Sequence, residues 1–119
     1  RRNDLTYITD VWENEPNIDR EYLAKSLIAT PHIAGYSAQG KANATALAVQ
    51  ALARHFYLPL TDWRPSEVLQ TEPKLISWRE MCDTIKDYCN LETESAELKS
   101  LPEKFEQLRN NYHYREEYF

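Results

Sequence analysis

A carboxylate and an imidazole, Glu15 and His32, stand seventeen positions apart, each beside a proline, in Glu15-Pro16 and Pro31-His32. A carboxylate that hydrogen-bonds an imidazole fixes the ring's tautomer and favours its protonated form, so the ring can hold or release a proton near neutral pH. Oxidising a secondary alcohol by hydride transfer needs such a base to take the hydroxyl proton, and the reverse reaction needs the matching acid. Taken singly, neither residue separates this chemistry from an ordinary loop position.

The elements around the pair must bring it together. Residues 5–12 are β-branched and aromatic, which predicts a short strand running into the Glu15-Pro16 turn. Asp19 is placed to cap a brief helix through about Lys25, and residues 27–30 read as a second strand stopped by Pro31. This strand–turn–helix–strand order is that of an α/β layer, and it opens as though earlier strands preceded it. The clearest helix spans residues 37–56, with Ser37 as N-cap and with Val49, Leu52, Ala53 and Phe56 at i, i+3, i+4 and i+7.

Pro59, Pro65 and Pro73 mark residues 59–73 as a linker, with one short candidate strand at 67–70. Beyond it, 76–88 reads as helix, 91–100 as polar and irregular, and 103–114 as helix with Phe105, Leu108 and Tyr112 on one stripe. This tail carries too few aliphatic residues for a large core of its own.

Composition narrows the function. The chain has a net charge of −5 and no basic footprint for nucleic acid. No apolar run reaches the roughly 20 residues that span a bilayer, and the expected location is cytoplasmic. Only two glycines occur, Gly35 and Gly40, so the three-glycine dinucleotide turn cannot be written from these residues. Cys82 and Cys89 lie two helical turns apart, about 10 Å along the axis, too far for a disulfide and not a zinc spacing. They read as two buried or half-buried thiols, and no metal site is expected.

The strings Asp10-Val11-Trp12-Glu13-Asn14-Glu15-Pro16 and Thr30-Pro31-His32-Ile33-Ala34-Gly35-Tyr36 resemble the D-isomer-specific 2-hydroxy-acid dehydrogenase family. Gly40-Lys41-Ala42 and the stretch from Lys104 to Tyr112 extend the likeness, which is strong over residues 5–56 and clear again over 102–117. The resemblance implies that Glu15 and His32 are the acid/base pair and that Asp10 and Gly35 contact an NAD cofactor. It implies that Tyr36 contacts the substrate, a small phosphorylated 2-hydroxy acid. The family's substrate-orienting arginine, glycine fingerprint and ribose-binding acid lie before Arg1, so a polypeptide without them is expected to be inert.

The implied fold is the C-terminal end of a Rossmann-type α/β dehydrogenase with a long return helix, plus a small α+β dimerisation segment. Residues 1–58 would belong to the nucleotide-binding and catalytic region, 59–73 to a linker and 74–119 to a homodimerisation domain. Two alternatives stand beside this reading. One is a non-catalytic dimerisation module, and the other is a sister activity on a different 2-hydroxy acid such as 3-phosphoglycerate.

Overall fold

A computed structural model describes residues 4–68 and 74–117. The chain forms two compact units, one made of residues up to Ala34 together with Lys86–His113, the other of Gly35–Ile85 with the segment from Tyr114 onward.

The first unit is built on two short parallel strands, β1 (Tyr7–Thr9) and β2 (Ser26–Ala29). Tyr7 faces Ser26, Ile8 faces Ile28 and Thr9 faces Ala29, with an irregularity between Tyr7 and Ile8. Parallel neighbours require a crossover. It is supplied by the Glu15-Pro16 turn and α1 (Arg20–Lys25), whose N-terminal amides at Glu21 and Tyr22 donate to the Asp19 carboxylate. The expected cap, helix and second strand all form, while the first strand contracts from 5–12 to three residues.

Residues 91–100, expected to be irregular, are instead a helix, α4 (Leu91–Ser100). The Asn90 side chain caps it, accepting from the Thr93 amide at 3.1 Å. Its polar sequence hides a narrow buried stripe, Ser95 and Leu98. Ser95 Oγ accepts from the Ala29 amide at 3.0 Å, and the Lys99 ammonium donates to the carbonyls of Ser26 and Leu27. Polar side chains of α4 thus satisfy the backbone of β2, which periodicity alone does not disclose. The helix expected over 103–114 is shorter: a 3₁₀ turn at Pro102–Lys104 leads into α5 (Phe105–Asn110).

Trp12, Ile18, Leu23, Ala29, Leu98 and Phe105 form one apolar core, with Leu108 packed against it. Fully burying a large apolar side chain stabilises by about 1.5–3 kcal/mol. Phe105, expected on one stripe with Leu108 and Tyr112 in a dimerisation segment, is 1% exposed within its own chain. Residues 86–113 share this core with the strands, whereas sequence alone grouped them with 74–85.

The second unit contains α2 (Ala38–Phe56), capped by Ser37 as expected, with the Gly40 amide donating to Ser37 Oγ at 3.0 Å. A Cβ on Gly40 would meet that hydroxyl at 2.6 Å, so glycine keeps the cap intact. The buried face of α2 corrects the expected stripe. It consists of Gln39, Ala42, Ala46, Gln50 and Ala53, whereas Leu52 and Phe56 are 57% and 61% exposed. Small residues let neighbouring backbone approach, and the buried amides find partners. Gln50 donates to the Trp63 carbonyl, and Gln39 accepts from the Glu117 amide.

Helix α3 (Trp78–Tyr88) begins two residues later than expected and carries exposed Trp78 and Tyr88. Of the candidate strand at 67–70, Glu67 and Val68 form a bend, and positions 69 and 70 lie outside the described residues, as do the last three linker positions, 71–73. Cys82 and Cys89 are half-buried and not joined in a disulfide. No helix among the described residues is long and apolar enough to cross a membrane.

Candidate active site

Glu15 follows β1 and His32 follows β2, so the parallel pairing that aligns the strand ends also aligns the two loops. The turn after β1 holds Asn14 at φ 61°, and the peptide bond between Glu15 and Pro16 is cis. In the other loop His32 itself sits at φ 58°. A non-glycine residue in the left-handed region carries a backbone cost that its surroundings must offset.

Asp10 supplies that support. Its Oδ1 accepts from Thr30 Oγ1 at 2.7 Å, the Ile33 amide at 2.8 Å and the Ala34 amide at 3.2 Å. Its Oδ2 also takes the Ala34 amide at 3.2 Å. One carboxylate thereby clamps both sides of the His32 turn. The Trp12 indole N–H, donating to the Thr30 carbonyl at 2.9 Å, ties the same turn to the core. A short acidic residue after a strand gave no sign of this clamp in the sequence.

The two expected site residues meet. His32 Nδ1 lies 2.9 Å from Glu15 Oε2 and 3.1 Å from Oε1. The Trp12 amide donates to Oε1 at 2.9 Å and fixes the carboxylate from the other side. An ionised carboxylate only accepts, so Nδ1 carries the hydrogen, and in the neutral ring Nε2 keeps the lone pair. The Glu15 side chain is 18% exposed and that of His32 is 38%, which leaves the ring reachable.

Burial alone would push the Glu15 carboxyl up. The hydrogen bonds from His32 and the Trp12 amide, with the charges of His32 and Arg109, outweigh it and hold the group below its ordinary value of 4.5. Arg109, on α5, was not singled out from sequence; only its place in the Lys104–Tyr112 string pointed to it.

A depressed folded-state pKa contributes stability that is complete above 4.5 and is lost as pH falls through the folded value. Acid unfolding followed by circular dichroism is therefore expected to show a limb below pH 4.5 that Glu15→Gln flattens. An unchanged limb in that variant would contradict the assignment.

Gly35 and Tyr36 open the second unit. A Cβ built on Gly35 meets no described atom within 4 Å, and its φ is not left-handed, so neither packing nor backbone angle explains glycine there. Tyr36 stacks edge-on against Tyr114 at 5.5 Å between ring centroids, and the Lys41 ammonium lies 3.7 Å from its ring centroid. Among the described residues no group of three or more His, Cys, Asp or Glu could hold a metal ion.

No family model matches the chain. Curated proteins do. It is 47% identical over 112 residues to an erythronate-4-phosphate dehydrogenase of Bacteroides fragilis, covering 92% of this chain and 31% of that protein. A Bacteroides thetaiotaomicron protein of the same name is 45% identical over 112 residues, with the same coverage. One from Legionella pneumophila is 32% identical over 114 residues, covering 96% of this chain and 33% of the relative. The chain is homologous to the erythronate-4-phosphate dehydrogenases. It spans about one third of their length. The mixed helix–strand structure with its small parallel sheet is compatible with part of an α/β dehydrogenase.

Proposed function

We propose that this chain is the C-terminal third of an NAD-dependent 2-hydroxy-acid dehydrogenase that oxidises 4-phospho-D-erythronate. The product would be 2-oxo-3-hydroxy-4-phosphobutanoate, in the biosynthesis of pyridoxal 5′-phosphate. The observation that carries the reading is the Glu15–His32 pair, at 2.9 Å in one compact unit. His32 Nε2, with its lone pair outward, takes the proton of the 2-hydroxyl. Glu15 holds the ring in that tautomer and balances the charge that develops on it. Tyr36 contributes a phenol that donates to an anionic oxygen of the substrate.

Two residues, each taken within its own unit, support the nicotinamide cofactor the reading requires. Open space at Gly35 allows close approach of a ligand to the backbone. Asp10 Oδ2 makes one long hydrogen bond among the described residues and keeps capacity to accept a carboxamide N–H. When bound, NAD supplies the hydride acceptor.

Homodimerisation through residues 74–119 belongs to the same proposal. The exposed rings of Trp78 and Tyr88 on α3 support it, and Phe105 is committed to its own core. The sister reading is a related dehydrogenase acting on 3-phosphoglycerate. NADH formation by a protein of the relatives' length carrying these residues tests the two together. Turnover of 4-phospho-D-erythronate upholds the proposal; faster turnover of 3-phosphoglycerate replaces the substrate, and no turnover of either ends it.

A further inference from the structure

Polar side chains are buried where the chain enters α2. Ser37 is 2% exposed and Gln39 is 4% exposed, and a buried polar group needs a partner. The first amides of a helix need partners too, because no earlier turn supplies their carbonyls. Residues 115–117 meet both demands. The Glu117 carboxylate accepts from Ser37 Oγ, and the Glu117 amide donates to Gln39 Oε1 at 2.9 Å. The Ala38 amide donates to the Arg115 carbonyl at 2.8 Å, within an isolated parallel bridge between Ser37 and Arg115. Residues 114–117 therefore lie along residues 36–39 as a strap.

The strap grips Tyr36 by its backbone and by its ring. Arg115 Nη1 donates to the Tyr36 carbonyl at 3.3 Å. The rings of Tyr36 and Tyr114 meet edge to face, 5.5 Å apart and at 88°. From the helix side, the Lys41 ammonium stands 3.7 Å from the Tyr36 ring centroid. Fixing the main chain sets where the Cβ points, and contacts on the ring restrict its rotamers. A side chain ordered before its ligand arrives loses less entropy when the ligand binds.

We infer that residues 114–117 orient Tyr36 for its substrate, with Arg115 as a positioning residue that acts through Tyr36 and not through the ligand. Substrate contact by Tyr36 rests on the dehydrogenase reading; the hold of the strap on Tyr36 stands apart from it.

Amide hydrogen exchange and tyrosine side-chain NMR on the 119-residue chain test the hold itself. In Arg115→Met, and in a variant stopped after His113, the Tyr36 ring is expected to average its rotamers. In the stopped variant the Ala38 amide should also exchange about tenfold faster or more, the loss of one hydrogen bond, while the amides of Gln50 and Ala53 keep their protection. Unchanged exchange at Ala38, or equal loss of protection along all of α2, would overturn the inference; the second result would make the strap a stability element alone.

The action through Tyr36 is read in a protein of the relatives' length. Arg115→Met should raise KM for 4-phospho-D-erythronate about tenfold with kcat within roughly threefold, and Arg115→Lys should recover most of that loss. In a Tyr36→Phe background the same Arg115→Met change should cost less than about twofold, because the group it positions is gone. A full tenfold cost in that background, or an unchanged KM in Arg115→Met alone, would also overturn the inference. A parent protein that forms no NADH would retire the dehydrogenase reading and the substrate's part in this one, and the exchange at Ala38 would still decide whether the strap holds Tyr36.

Discussion

Replacing His32 by alanine is expected to lower kcat/KM by roughly 10²–10⁴-fold in a protein of the relatives' length, with most of the loss in kcat. The imidazole is the group whose lone pair faces away from the carboxylate, and alanine provides no proton acceptor. Glu15→Gln tests the other half of the pair. Its amide cannot hold an imidazolium as a carboxylate does, yet it can still accept from Nδ1 through its oxygen. The expected loss is therefore smaller and concentrated where the ring must carry charge. Steady-state rates of NADH formation across pH separate the two. A His32→Ala variant within threefold of the parent would remove His32 from the chemistry.

The largest effect on stability is expected at Phe105. Its ring is 1% exposed and closes a core with Leu98, Trp12, Ile18, Leu23 and Ala29. Truncation of a buried phenylalanine to alanine costs about 3–5 kcal/mol, through lost transfer energy and the cavity left behind. That is a large share of the roughly 5–15 kcal/mol that holds a small domain together. Phe105→Ala is expected to lower the urea midpoint sharply and to loosen the strand loops, because α4, α5 and β2 share this core. Phe56→Ala, on an exposed position of α2, should shift the midpoint little. If the two variants lose equal stability, the core has been drawn in the wrong place.

The contrast between Phe105 and Phe56 also shows how far sequence reading reaches. Local signals with a direct mechanism survived: Asp19 and Ser37 cap helices because short polar side chains accept from free amides, and the structure has them doing so. Periodicity was weaker. It put the stripe of α2 at Val49, Leu52, Ala53 and Phe56; of these Ala53 is buried, but Leu52 and Phe56 are exposed, and the rest of the buried face is two more alanines and two hydrogen-bonded glutamines, which hydrophobicity ranks poorly. It passed over α4, because a helix that buries one leucine and one serine, with Lys99 also bonded to β2, reads as polar. The Asn90 cap was the local sign available there.

At the site, the approach of Glu15 to His32 was legible from two motifs at a fixed separation. The grip of Asp10 on the His32 turn was not, because its donors are mostly backbone amides, and those carry no sequence signature. Arg109 likewise acts on Glu15 from a helix more than ninety residues away in the chain.

The hydrogen on His32 Nδ1 is open to direct measurement. Nitrogen-15 NMR of histidine-labelled chain, with His32 assigned by its loss in His32→Gln, reads that position directly. The predicted result is a neutral ring protonated at Nδ1 with a free Nε2, a preference that Glu15→Gln weakens. A neutral ring carrying its hydrogen on Nε2, or a tautomer ratio indifferent to Glu15, would contradict the claim that this carboxylate prepares His32 to take a proton.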